Sequence, residues 1–306
     1  MSPAKPRRRP RFGAHMSAAG GLENAVQAAV ETQSDTLQVF VKNQRQWNAP
    51  ALTTEKIEAY KTAAESAGIT PVVAHASYLI NLAATDNEIR NKSIRALADE
   101  HHRCELLGID GLVFHPGSHL DDTIHNGVKR IIQALNHIMR QHITRQTADT
   151  PRTPGQSPCT ILLETTAGQG TAIGYRFEQL RDIIAGLDTP ENFGICLDTC
   201  HLFAAGYDFR TRDGYESMIE QMESAIGVAS VQCIHTNDSK KEAGSRVDRH
   251  EHIGKGKIGK EGFRHFVNDA RWHDIPFILE TPKGKDGRGA DLDKVNMNKL
   301  RKLMES

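Results

Sequence analysis

Eight short apolar runs, separated by amphipathic stretches, constrain this chain more than any other feature. They lie at residues 12–14, 37–40, 72–75, 112–115, 160–164, 194–198, 231–235 and 277–280. The segments between them are too long for hairpins and suit crossover helices. In 87–107, for example, Ile89, Ile94, Leu97, Ala98, Cys104 and Leu107 recur near helical spacing. Eight such units predict an α/β chain folded as a (β/α)8 TIM barrel with a parallel eight-stranded sheet. A length of 306 residues fits one such barrel. The expected organisation is a disordered basic tail over 1–11 and a single barrel domain over 12–306. Within the domain, the polar, Thr- and Pro-rich segment 141–158 reads as a surface insertion. A Gly- and charge-rich loop beyond Pro282 should lead to a short last helix ending near Met304.

Charge gives the chain no global partner. Lys plus Arg and Asp plus Glu are 38 each, so any binding of nucleic acid must come from a local patch. The one basic run, KPRRRPR at 5–11, lacks apolar periodicity and reads as a source of nonspecific electrostatic attraction. No apolar stretch is long enough to span a bilayer and the amino terminus has no secretory pattern, so a soluble protein without membrane partners is expected. Five cysteines (Cys104, Cys159, Cys196, Cys200 and Cys233) form no CxxC pair, and free thiols in a reducing compartment are expected.

Six of the eight runs end in a group able to bind metal: His75, His115, Glu164, Asp198, His235 and Glu280. In a barrel those ends converge on the face where active sites of this fold are built. His201 follows Asp198 by one helical turn, and Asp248 and His250 share one side of an extended stretch. Any one of the nine is by itself a common structural group. Together, so many ionisable groups on one face call for cations to offset their desolvation and repulsion. Nine ligands, with three protein ligands per catalytic zinc as a guide, suggest three metals. Imidazole with carboxylate suits zinc, with manganese an alternative at some sites. His15, His119 and His252 lie near the expected mouth and are candidate phosphate contacts. His101, His102, His125, His137, His142, His265 and His273 are expected on solvated surface.

At these residues the sequence resembles the endonuclease IV family of zinc-dependent apurinic/apyrimidinic endonucleases. The resemblance is carried, in family order, by GAHMSAAGG at 13–21, KNQRQW at 42–47, HASYLINLA at 75–83, HPGSHL at 115–120 and LETTAGQG at 163–170. It continues with LDTCHLFAAGYD at 197–208, HTNDSK at 235–240, GSRVDRHEHIGKGKIG at 244–259 and LETP at 279–282. It implies three zinc ions per chain: the first on His75, His115 and Glu164, the second on Glu164, Asp198, His235 and Glu280, the third on His201, Asp248 and His250. Glu164 would bridge two of them, and Glu164 and Glu280 would act at the reaction centre. Arg45, Tyr78 and Leu79 match residues that enter the duplex at the lesion. The pattern departs at Thr165, where the family usually has Asn, and at Thr236, where it has Leu or Ile; neither is a ligand position.

The implied activity is hydrolysis 5′ to abasic sites in double-stranded DNA, leaving a 3′-hydroxyl and a 5′-deoxyribose phosphate, with trimming of blocked 3′ ends. A monomer acting in the cytoplasm, at the nucleoid of a bacterium, is expected. A sugar isomerase or epimerase is the rival reading, since barrels with His and carboxylate sites also host that chemistry. It leaves His201, Asp248, His250 and the Arg45 and Tyr78 loops without work. A non-catalytic lesion binder would be expected to have lost some of the nine ligands.

Overall fold

Each apolar run becomes a strand because β-branched and aromatic residues suit a parallel sheet buried on both faces. The computed structural model describes residues 8–148 and 158–305. The first seven barrel strands are β1 (Arg11–His15), β2 (Thr36–Val39), β3 (Val72–His75), β4 (Gly111–Phe114), β5 (Thr160–Glu164), β6 (Phe193–Asp198) and β7 (Val231–His235). A short antiparallel hairpin, β8 (Asp238–Ser239) with β9 (His250–Glu251), precedes the eighth, β10 (Pro276–Leu279). The eight are parallel throughout and closed by β1 against β10, with Phe12 opposite Phe277 and Ala14 opposite Leu279. The expected (β/α)8 barrel is therefore present.

The helices that cover it are α1 (Leu22–Thr32), α2 (Thr54–Ala67), α3 (Asn87–Leu107), α4 (Ile124–Ala148), α5 (Phe177–Ala185), α6 (Thr199–Ala205), α7 (Arg212–Ile226), α8 (Gly259–Val267) and α9 (Leu292–Leu303). The large apolar core lies between strands and helices. Inside the barrel Val73, Val113, Leu162, Cys196, Cys233 and Ile278 form a second, smaller cluster. Side chains alternate along a strand, so two residues further on the same inward parity yields His75, His115, Glu164, Asp198, His235 and Glu280. The apolar plug thus sets the floor on which the polar groups stand. At Gly13 the barrel admits no side chain: a Cβ there would lie 2.0 Å from the carbonyl oxygen of Thr36.

Three expectations shift. The segment 141–158, expected as a surface insertion, opens as helix, since α4 continues through Ala148; 149–157 lie outside the described residues. The basic tail ends sooner than Arg11, which opens β1, and Arg9 already donates two 2.8 Å hydrogen bonds to the Asp35 carboxylate; residues 1–7 lie outside the described residues. His101 is buried instead of solvated, since α3 turns it inward to the main-chain oxygen of Cys159 at 3.0 Å. All five cysteines are buried and free of disulfides. No helix among the described residues is long and apolar enough to cross a membrane.

Candidate metal centre

The site begins with local structure in the string LDTCH. Asp198, the last residue of β6, is the N-cap of α6: its Oδ1 accepts the backbone N–H of His201 at 2.8 Å. An Asp at the cap satisfies an otherwise unpaired helix donor, and here it also fixes the spacing between two candidate ligands. On the other side, β9 pairs with β8, so His250 is opposite Ser239 and the extended stretch carrying Asp248 is held over the mouth. The Asp238 carboxylate anchors this arm by accepting N–H groups of Gly254, Gly256 and Ile258 at 2.9–3.0 Å.

All nine candidate residues meet at the C-terminal mouth of the barrel. They resolve into three groups in which one donor atom per residue lies within 4.8 Å of every other: His75, His115 and Glu164; Glu164, Asp198, His235 and Glu280; His201, Asp248 and His250. Glu164, fully buried, joins the first two groups. Its Oε2 faces His75 Nε2 at 3.1 Å and His115 Nε2 at 3.0 Å, while its Oε1 faces His235 Nδ1 at 2.9 Å. Asp248 stands between His201 Nε2 at 3.1 Å and His250 Nε2 at 3.2 Å.

Hydrogen bonds on the far side of the imidazoles set which nitrogen faces inward. His75 Nδ1 lies 2.7 Å from the Ala76 oxygen, His201 Nδ1 2.8 Å from the Thr165 oxygen and His250 Nδ1 3.3 Å from the Glu280 oxygen. His235 Nε2 lies 2.7 Å from Gln38 Oε1, an acceptor because Gln38 Nε2 donates to Glu280 Oε1 at 2.6 Å. A ring nitrogen that donates outward leaves the other as a lone pair aimed at the carboxylates, the usual arrangement of a metal-binding histidine. His250 Nε2 is buried without a hydrogen bond. Lone pairs facing carboxylates repel unless a cation or a proton lies between them, so the donor set fits divalent metal.

Without metal, protons take that role. Burial alone would discharge His235, but Glu280 and Glu164 outweigh it and hold the imidazole well above its ordinary value. His201 is raised in the same way, against burial, by Asp198 and Asp248, and His250 is pushed up to about 9, against burial, chiefly by Asp198. Burial raises the carboxyl of Glu164, yet His115 and His235 bring it well below its usual range.

Several residues around these nine escape sequence reasoning. Gln38 is fully buried and links His235, Glu280 and, at 2.9 Å, His15 Nδ1. Its signal was present: a polar residue at an inward position of an apolar strand. Asn237 donates to Asp198 Oδ2 at 2.7 Å and accepts the N–H of Glu280 at 2.8 Å. Thr165, where the sequence departs from the expected Asn, accepts the N–H of Asp198 at 2.8 Å and faces His201 with its carbonyl. Thr236 hydrogen-bonds within its own strand region, to the Ile234 oxygen.

At the rim, Tyr78 is 60% exposed and stands above the site, its ring 5.1 Å from that of His75 and 5.6 Å from that of Phe40. Leu79 is exposed beside it, and Arg45 is exposed on the loop between β2 and α2. His15 faces inward, 3.6 Å from Glu280. His119 is held by the Asp122 carbonyl and His252 by Asn296.

A closed parallel barrel with a His and carboxylate centre at its C-terminal mouth defines the class, and the sequence matches the xylose isomerase-like TIM barrel family over residues 26–303. A D-tagatose 3-epimerase-like protein shares the fold, with a TM-score of 0.69 at 17% identity over 96% of both chains. The probable endonuclease 4 of Chloroflexus aurantiacus is 46% identical over 97% of this chain and 99% of its own. The crystal structure of endonuclease IV from Thermus thermophilus aligns with a TM-score of 0.81 at 36% identity, covering 96% of this chain and 98% of that one. The chain belongs to the endonuclease IV family.

Proposed function

We propose that this protein is a zinc-dependent DNA-repair nuclease of the deoxyribonuclease IV type. It hydrolyses the phosphodiester bond 5′ to abasic sites, leaves a 3′-hydroxyl and a 5′-deoxyribose phosphate, and trims blocked 3′ ends at the same centre. The observation that carries this reading is the joining of two donor groups through both oxygens of Glu164, with the His201, Asp248 and His250 group alongside. One or two ions, as a sugar epimerase reading needs, leave that last group idle.

In this reading His75, His115 and Glu164 hold one ion, Glu164, Asp198, His235 and Glu280 a second, and His201, Asp248 and His250 a third. Bound there, zinc supplies Lewis acidity toward phosphate oxygens and brings the acidity of water toward neutral pH. The chain's own groups do the rest. Gln38 keeps His235 in the tautomer whose Nδ1 faces Glu164 and Glu280, and Asn237 holds Asp198 and the backbone of Glu280 in register. Tyr78 and Leu79, apolar and exposed at the rim, fill the space left when a nucleotide is extruded, offsetting a few kcal/mol of lost stacking. Arg45 brings positive charge to the same loops, where a neutral molecule has no long-range attraction to offer.

The test is incision of a labelled duplex carrying one tetrahydrofuran abasic analogue, with metal content measured on the same preparation. A cut on the 5′ side whose 3′ end a polymerase extends is expected. A zinc-loaded protein that leaves this duplex intact and epimerises a ketose instead would overturn the reading.

A further inference from the structure

Two exposed loops carry the rim residues, one after β2 with Arg45 and one after β3 with Tyr78 and Leu79. Neither is part of a regular element, and separate loops of this kind would be expected to move independently. Buried groups beneath them join the two. The Ser77 hydroxyl donates to the main-chain oxygen of Gln44 at 2.7 Å and accepts the N–H of Leu79 at 3.2 Å. The N–H of Ser77 donates to Glu100 Oε2 on α3 at 3.0 Å. Glu100 Oε1 is 3.2 Å from Lys42 Nζ, and both side chains are 1% exposed. Lys42 in turn donates to the carbonyl of Trp47 at 3.0 Å. One turn further along α3, Arg103 donates to the carbonyls of Ala49 and Pro50 at 3.1 and 2.8 Å. One face of one helix therefore holds both ends of the first loop and the root of the second, and Ser77 spans the gap between them.

Burying a Lys and a Glu costs more than their attraction returns unless their other hydrogen bonds are made. Here Lys42 has a second carboxylate, Asp99 Oδ2, at 3.4 Å, and each member of the pair spends one bond on loop backbone, Lys42 on the Trp47 carbonyl and Glu100 on the Ser77 N–H, which fixes loop geometry. We propose that Ser77, seated on the Lys42–Glu100 pair, is a positioning residue that couples the Arg45 loop to the Tyr78–Leu79 loop so that they meet a distorted duplex as one rigid rim. The proposal rests on the functional reading above. It assigns Ser77 a role in recognition and none in bond cleavage.

The experiment compares Ser77→Ala, Ser77→Thr and the parent on two substrates: the abasic-analogue duplex, which needs the rim, and bis(4-nitrophenyl) phosphate, which does not. Zinc content and melting temperature are measured for each, and Ser77→Cys, close in shape with a weak donor, replaces the Ala variant should that one fold poorly. Ser77→Ala is expected to raise KM for the duplex about fivefold, the scale of one lost hydrogen bond, with kcat and ester hydrolysis within twofold of the parent. Ser77→Thr, which keeps the hydroxyl, restores KM. In a Tyr78→Ala, Leu79→Ala background the same serine change should add nothing, because residues that act through one another are not additive. An unchanged KM, an equal loss on both substrates, or full additivity in that background overturns the coupling. A parent that ignores the abasic duplex overturns the functional reading, and the coupling with it.

Discussion

Both oxygens of Glu164 are committed, one to His75 and His115 and the other to His235. Replacing Glu164 by Gln keeps the shape and removes the charge that two donor groups share. Loss of zinc and a fall of at least about 100-fold in abasic-site incision are expected, with the barrel still folded but the metal-free protein melting below the metal-free parent at neutral pH, because Glu164 offsets buried imidazolium charge there. Incision near the parent rate would remove Glu164 from the bridging position. Gln38 makes a finer test, since it touches His235 and Glu280 from behind. Gln38→Leu should weaken metal retention by roughly 10- to 100-fold, the range usual for a group that orients a ligand; equal zinc content after dialysis against a graded chelator series would contradict that. The protonated histidines add a pH dependence. His201, His235 and His250 are held charged in the metal-free protein, His250 up to about 9, and must lose their protons to bind metal. Zinc uptake at neutral pH should therefore release protons and weaken as pH falls. Calorimetry in buffers of differing ionisation enthalpy measures the number, and a value of zero would contradict the ion-pair picture. Elemental analysis of the protein as isolated should give about three zinc ions per chain, from three donor groups; a single ion would sink the trinuclear reading.

At the scale of elements, loops and strands do different work. Strand ends supply six of the nine candidate ligands, while the loops after β2 and β3 supply Arg45, Tyr78 and Leu79, none of which belongs to a donor group. Lesion recognition and chemistry should therefore separate. The triple Ala variant of these three is expected to lose incision of an abasic duplex by about 10-fold or more, at unchanged zinc, while hydrolysis of a small activated phosphodiester falls less than about threefold. Equal losses on both substrates would contradict the assignment. The strands were legible because a parallel strand buried on both faces writes itself as a short apolar run, and the polar residue that ends such a run gave His75, Glu164 and Asp198 alike. The helix over 87–107 was legible from the helical spacing of its apolar residues. What was not legible depends on contacts distant in sequence. Nothing near Gln38 announces that His235 lies 197 positions away. His101 on its helix looks like its neighbour until the chain near Cys159 folds over it. The β8–β9 hairpin, two residues a side, is too short to leave a pattern, although it holds His250 in place.

The molecule as a whole is closed at the end opposite the site, and one carboxylate joins the parts that meet there. Asp35, between α1 and β2, accepts two 2.8 Å hydrogen bonds from Arg9 and the N–H of Phe12 at 3.1 Å, with Arg301 of α9 at 3.6 Å. It thus ties the chain entering β1 to the first βα unit and the last helix, a closure that a reading of the basic run as a free tail did not contain. Burial raises the Asp35 carboxyl, but the Arg9 hydrogen bonds and the Phe12 N–H outweigh it and leave the pKa lowered. A lowered folded-state pKa contributes stability that is fully present above the unfolded value, near about 4, and is lost as pH falls through the folded one. Arg9 is about two-fifths exposed, so solvent screening limits the pair to roughly 0.5–1 kcal/mol. In a chain of this size that is a shift of about 1–4 °C in melting temperature. Arg9→Ala should therefore melt that much below the parent at pH 7, and the gap should narrow as pH falls below about 4 and close once Asp35 takes up its proton at its lowered value. Removing residues 1–7, which include Lys5 and Arg7, should weaken duplex binding mainly at low salt, where each lost phosphate contact counts most. Removing residues 1–9 should add the deficit of Arg9→Ala to that loss of affinity. A gap between Arg9→Ala and the parent that does not narrow at all as pH falls below the unfolded value would show that the arginine acts by packing alone, and an absent gap at pH 7 would show that barrel closure does not depend on the pair.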